Sequence, residues 1–144
     1  MSIHWKKFAA SVLILGAGVA LSGCGSNAPQ PYPVSGKIAL AGADVKVLAG
    51  SHVEVSLVGQ PTVRASGEIQ ADGAFRLESQ ASGAIVNGVR EGKHQVRIIL
   101  SDDDAALRRQ ATKAVASRFL DFKTSGLSID VPNSGEITIA IASR

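Results

Sequence analysis

Leu127-Ser128-Ile129-Asp130-Val131 and Glu136-Ile137-Thr138-Ile139-Ala140-Ile141-Ala142, separated by Pro132-Asn133-Ser134-Gly135, decide the fold class. In each run, apolar side chains recur at every second position with small or polar residues between them. An extended chain turns successive side chains to opposite faces, so this period marks a strand with one face buried and the other wet. Pro-Asn-Ser-Gly is turn chemistry, and the two runs are therefore expected to be the last strand pair.

The same period extends back through the chain. Val34, Ile38 and Leu40 share one side of a first strand, with Ser35 and Lys37 opposite. Val53, Val55 and Leu57 are expected to face inward and His52, Glu54 and Ser56 outward. Residues 67–70 and 74–78 flank Ala71-Asp72-Gly73, whose Asp-Gly step suits a tight hairpin; Phe75 and Leu77 would then point to the core. In the strand over 93–101, Val96, Ile98 and Leu100 face inward, and Ile99 implies partial cover on the other side. About seven short strands at this spacing predict an all-β sandwich.

One stretch departs from the pattern. Residues 101–118 are rich in Ala, Leu, Arg and Lys, begin with Asp102, Asp103 and Asp104, and carry Arg108, Arg109, Lys113 and Arg118 further on. Acidic residues at the start and basic residues towards the end complement a helix dipole, and Ser101 is a candidate cap. Leu107, Ala111, Ala114 and Val115 form a narrow apolar stripe. One short helix is expected here, in the connection between two strands.

The start of the chain has a different character. His4, Lys6 and Lys7 precede an apolar stretch over residues 8–21, which ends in Leu21-Ser22-Gly23-Cys24. That order of basic, apolar and small residues is the layout of an export signal. A membrane-spanning helix needs about 20 apolar residues, more than this stretch offers, and Gly16 and Gly18 weaken it further. Residues 25–33, Gly-Ser-Asn-Ala-Pro-Gln-Pro-Tyr-Pro, favour an extended tether, with Tyr32 expected to pack against the first strand.

Leu21-Ser22-Gly23-Cys24 resembles the lipobox of bacterial lipoproteins. The resemblance implies cleavage between Gly23 and Cys24 and lipidation of the Cys24 thiol. It also implies attachment to the cell envelope, and Gly25 in place of an aspartate points to the outer membrane, facing the periplasm. Residues 1–23 are then a removed signal, 24–33 a lipidated cysteine with its tether, and 34–144 the folded part. Cys24 is the chain's one cysteine, so no disulfide can form within the chain. Of fifteen Lys and Arg, Lys6 and Lys7 would leave with the signal; the thirteen that remain face twelve Asp and Glu. A near-neutral domain gives no electrostatic footprint for nucleic acid, despite a whole-chain pI near 9.3.

Four further stretches, in order, resemble the carboxypeptidase regulatory-like, transthyretin-like domain of bacterial lipoproteins. They are Pro33-Val34-Ser35-Gly36-Lys37-Ile38, then Leu48-Ala49-Gly50-Ser51-His52-Val53-Glu54-Val55, then Asp72-Gly73-Ala74-Phe75, and Gly88-Val89-Arg90-Glu91-Gly92-Lys93-His94-Gln95-Val96. The approach Phe119-Leu120-Asp121-Phe122-Lys123-Thr124-Ser125-Gly126-Leu127 is similar to that family's late strand entry. The resemblance implies a single transthyretin-like or Ig-like sandwich without a peptidase zinc site.

The chemistry-bearing residues are sparse. His52 and His94 lack zinc-ligand spacing, and both are expected at exposed or edge positions. Asp102, Asp103 and Asp104 are the one dense oxygen cluster and the weak metal candidates. Three consecutive carboxylates cannot all converge on one ion, and the loop lacks the alternating acids and glycine of a calcium loop. Ser125 has no histidine and acid placed to activate it, and a turn role accounts for it. Arg108, Arg109, Lys113 and Arg118 form a basic face that suits solvent, acidic lipid headgroups or glycans. The expectation is therefore a membrane-anchored envelope lipoprotein carrying a non-catalytic interaction or structural module, without cofactor, whose partner is an envelope protein or glycan. The alternative is an envelope binding protein that takes a small ligand, metal or glycan through loops at one end of the sandwich.

Overall fold

The computed structural model describes residues 29–143, so the signal segment, Gly23 and Cys24 lie outside the described residues. The strands are β1 (Ser35–Ala41), β2 (His52–Leu57), β3 (Gln60–Glu68), β4 (Ala74–Arg76), β5 (Glu78–Ala81), β6 (Ala84–Asn87), β7 (Gly92–Ile99), β8 (Leu127–Val131) and β9 (Ile137–Ala142). Two short helices, α1 (Ala105–Ala114) and α2 (Phe122–Ser125), lie between β7 and β8. The strands form two sheets of unequal width, a three-stranded one in the order β4-β1-β9 and a six-stranded one in the order β6-β5-β3-β2-β7-β8. The chain is an all-β sandwich with a short helix in an inter-strand connection.

The alternation read from the sequence fills the space between the sheets. Ile38, Phe75, Ile139 and Ile141 of the small sheet and Val53, Val55, Val96, Ile98, Ile129 and Val131 of the large one are all buried in one core. Burying each such side chain is worth about 1.5–3 kcal/mol relative to leaving it in water. Leu48, Leu77, Val115 and Phe119, from the connections between strands, are buried in the same core.

Strand partners differ from expectation in two places. β8 and β9 are not a hairpin. β8 pairs antiparallel with β7, from Gly92↔Val131 to Val96↔Leu127, and β9 crosses to the other sheet and runs parallel to β1 over its full length. The turn at Asp72-Gly73 exists, with Gly73 at φ 82° and the Ala74 amide bonded to Asp72 Oδ1 at 3.0 Å, yet β3 and β4 leave it into different sheets. Gly67 shows why they must diverge. A Cβ there would lie 2.1 Å from the Arg76 carbonyl oxygen, so the two chain segments touch backbone to backbone and then part.

The helix also starts later than its composition suggests. Asp104, not Ser101, is the cap; its carboxylate accepts from the Ala106 and Leu107 amides at 2.7 and 3.0 Å. The Ser101 hydroxyl serves the preceding turn, accepting from the Asp103 amide at 3.2 Å. Ala111 and Val115 of the expected apolar stripe are buried, and α1 lies against the 3-10 turn Val45–Leu48.

Replacing Gly67 with Ala should destabilise the fold by about 1–3 kcal/mol, because the added methyl meets a backbone carbonyl that cannot rotate away. A urea titration followed by circular dichroism measures this, and an unchanged midpoint would contradict the close crossing of β3 and β4.

Candidate functional site

The three carboxylates singled out in the sequence do not form a cage. Asp104 is committed to the helix amides, and those two bonds hold its carboxyl below the usual range. Asp103 accepts from the Ser101 hydroxyl at 3.2 Å, and Asp102 pairs with the Arg108 guanidinium. Each points at its own partner, as helix-start electrostatics requires. Among the described residues, no group of three or more His, Cys, Asp or Glu is arranged to hold a metal ion. On the basic face, Arg118 stacks on the Phe119 ring at 4.5 Å, while Arg109 and Lys113 are exposed.

Ser125 has a structural role. It is buried, its hydroxyl donates to the Val96 carbonyl at 2.6 Å, and its oxygen accepts from the Leu127 amide at 3.2 Å. One hydroxyl thus ties the end of α2 to β7 and starts β8 in register, with Gly126 at φ 67° completing the turn. Replacing Ser125 with Ala leaves the buried Val96 carbonyl and the part-buried Leu127 amide without this partner, so stability should fall by about 1–3 kcal/mol. Equal denaturation midpoints for the two proteins would refute this latch.

The outer face of the large sheet is also less open than the alternation implies. Glu54 and Ser56, expected to face solvent, are half-buried and buried respectively. Glu54 bonds Arg97 at 2.5 Å and Arg64 at 3.4 Å, and both guanidiniums lie over the Phe122 ring, at 4.8 and 5.6 Å. The segment after α1 folds back across this face and covers it, which a strand's own alternation cannot reveal. His52 is exposed, as expected.

His94 is the clearest departure. It was expected at a solvent-side or edge position, but it is 1% exposed. Its ring shares the inward phase of Val96 and Ile98, and its cross-strand neighbours are Leu57 and Ile129. The strand parity that identifies Val96 and Ile98 as core also includes His94; polarity of the residue type obscured that signal. Nδ1 lies 3.1 Å from the Gly92 carbonyl, which can only accept, so Nδ1 carries the proton and neutral Nε2 presents a lone pair. Burial lowers the pKa below its ordinary 6.5, opposed in part by the bond to Gly92. Among the described residues, His94 Nε2 is the buried side-chain atom left without a hydrogen-bond partner.

His94 is among the residues around a groove of about 480 Å³. Six strands face three, so the β3-β5-β6 wing of the large sheet extends past the small sheet, and the groove lies against it. Val63, Ser79 and Val86 are half-buried along this groove, while Pro29 and Pro31 border it. Tyr32 fixes that border: its amide and carbonyl exchange two 2.8 Å bonds with Val89, so it anchors by its backbone while the residue as a whole is 39% exposed.

Neither the family models, the curated proteins nor the solved structures give a match to this chain.

The depressed pKa of His94 has a direct consequence for stability. The unfolded chain binds a proton at pH values where the folded chain does not, so stability is fully present above about pH 6.5 and declines as pH falls towards the lower folded value. Between pH 7 and pH 5, the urea midpoint of the native protein should drop more steeply than that of a His94→Leu variant. Parallel slopes would show that His94 is not held neutral.

Proposed function

We propose that this chain is a cell-envelope lipoprotein, cut before Cys24 and lipidated on that cysteine, which carries a carboxypeptidase regulatory-like sandwich as a non-catalytic interaction or structural module. The observation that carries the reading is Leu21-Ser22-Gly23-Cys24 at the end of an apolar segment with a basic start. Two or more acyl chains turn marginal membrane binding into stable anchoring. Outer-membrane residence, facing the periplasm, is the placement that Gly25 favours.

The geometry of the domain is compatible with a tethered module. The backbone pairing of Tyr32 with Val89 fixes where the tether meets the sandwich. Tyr32 lies eight Cα–Cα steps after Cys24, and a fully extended chain of that length spans at most about 29 Å. The sandwich would therefore work within one domain's width of the lipid surface. No helix among the described residues is long and apolar enough to cross a membrane.

The buried hydroxyls support a non-catalytic reading. Ser51 accepts from the Ser101 amide at 3.1 Å, Ser56 donates to the Pro61 carbonyl at 3.3 Å, and Ser125 bridges β7 and β8. Each is engaged with backbone, the role of a structural hydroxyl, where a nucleophile would face a base. The alternative of a binding protein is favoured by the groove beside His94, which lies along the sheet and not among end loops.

Replacing Cys24 with Ala should move the protein from the membrane fraction to the soluble fraction of the envelope, and mass spectrometry of the native protein should find an acylated Cys24 as its first residue. A Cys24→Ala protein that stays tightly membrane-bound would overturn the anchor.

A further inference from the structure

Four strands lie at the edges of the two sheets, and three of them are short or guarded. β4 has three residues and includes Arg76, β6 has four, and β8 carries Asp130 and runs into Pro132. Short length, charge and proline are the devices that keep an open edge from pairing with another chain. β9 has none of them. Its six residues, Ile137-Thr138-Ile139-Ala140-Ile141-Ala142, hold no charge and no proline, and its register with β1 is unbroken.

The backbone phase defines what that edge offers. The Ser143 amide donates to the Ala41 carbonyl at 2.9 Å, and the Ile137 carbonyl oxygen is the atom that a Cβ on Gly36 would meet first. The odd-numbered residues of β9 therefore turn their backbone groups towards β1, and Thr138, Ala140 and Ala142 turn theirs to the open side. All three are exposed, and β1 is the one strand that pairs with β9 among the described residues. Their side chains are short, so a second strand can approach to pairing distance.

We propose that β9 pairs antiparallel with β9 of a second copy of this chain, with the two-fold axis at Ala140, so that two three-stranded sheets join into one. Outward-facing residues must meet outward-facing residues, which limits a two-fold near the middle of the strand to Ile139 or Ala140. With Ala140 on the axis, Thr138 lies opposite Ala142 of the partner subunit, and each such pair exchanges both N–H···O bonds. Ile139 meets Ile141 of the partner subunit on the inner face and carries the core across the junction. The same register sets Glu136 opposite Arg144 of the partner subunit, an opposite-charge cross-strand pair repeated by the symmetry. A two-fold at Ile139 would set Glu136 opposite Ala142 of the partner subunit and leave its charge unanswered. Agreement of charge and backbone phase in one self-complementary register favours a second copy over an unrelated strand. The contact uses the sandwich alone and stands whether or not Cys24 is lipidated.

Sedimentation of the full-length chain in detergent should show a monomer–dimer equilibrium with a dissociation constant of about 10 μM, the weak end for an interface made mainly of backbone bonds. Ala140→Pro removes an N–H that points away from β1, so it should weaken the dimer about tenfold or more while leaving the circular dichroism unchanged. Ala140→Lys, which sets like charges face to face on the axis, should also weaken the dimer, and it keeps the test decisive if the proline variant fails to fold. Under an oxidant, Ala140→Cys should give a disulfide-linked dimer beyond what the native chain with Cys24 gives, because the paired Cα atoms would lie about 5.5 Å apart. Thr138→Cys should not, since its opposite number is Ala142 of the partner subunit. The proposal is overturned if the native chain stays monomeric up to about 100 μM, if Ala140→Lys dimerises as tightly, or if Thr138→Cys cross-links as readily as Ala140→Cys.

Discussion

The parallel pairing of β1 with β9, from Gly36↔Ile137 to Ala41↔Ala142, is the constraint on which the rest of the sandwich depends. It joins the first and last strands of the domain and places β1 at the centre of the small sheet, with β4 on its other edge. Everything between these strands in sequence, β4 apart, must then build the opposing sheet or cover it. Ile38 from β1 and Ile139 and Ile141 from β9 present one apolar surface, and the valines and isoleucines of β2, β7 and β8 answer it. Without β9, the inner face of β1 and much of the large sheet would lose their cover, and no local turn could replace a pairing that spans the domain.

The width mismatch follows from that pairing. A three-stranded sheet cannot cover six strands, and the outer wing mixes small residues with the half-buried Val63 and Val86 where the covered part carries fully buried aliphatics. Ser79 and Ala81 on β5 and Ala84 on β6 are what an inner face without a complete roof can tolerate. The tight turn Ser82-Gly83, with φ of 51° and 81°, holds β5 and β6 together as a short hairpin that depends little on core packing. The groove is therefore a product of topology, and its contents are a separate matter of which side chains occupy it.

Alternation made the faces legible and left the partners illegible. Val53 and Val55, Val96 and Ile98, and Ile139 and Ile141 could be assigned inward because a period of two fixes a strand's buried side. Nothing in that period says which strand lies alongside, so Pro132-Asn133-Ser134-Gly135 read as a hairpin turn when it connects two sheets. Glu78–Ala81 has almost no apolar contrast, being Glu-Ser-Gln-Ala, and Ala84–Asn87 places Ile85 and Val86 side by side without alternation, so neither carries a period of two. Cover on the outer face by Phe122 was likewise invisible, since Phe122 lies 68 positions from Glu54 in sequence. Of the candidate site, the phase of His94 was readable from Val96 and Ile98, while the groove required knowing that the small sheet stops short.

His94 is a poor choice for stability alone. Its neighbours Leu57 and Ile129 are apolar, and a leucine at that position would complete their layer with no polar atom to satisfy. The imidazole instead brings an acceptor whose unmet burial costs on the order of 1–3 kcal/mol. The backbone compounds the expense by satisfying the wrong nitrogen: the Gly92 carbonyl takes the Nδ1 proton and thereby fixes Nε2 as the unsatisfied acceptor. Ser51, Ser56 and Ser125 show that this fold places buried hydroxyls against backbone groups whenever they serve structure. An acceptor left without a partner in this layer is therefore a standing cost to folding stability, and it is the one place in the described core where a buried polar side-chain atom goes unmet.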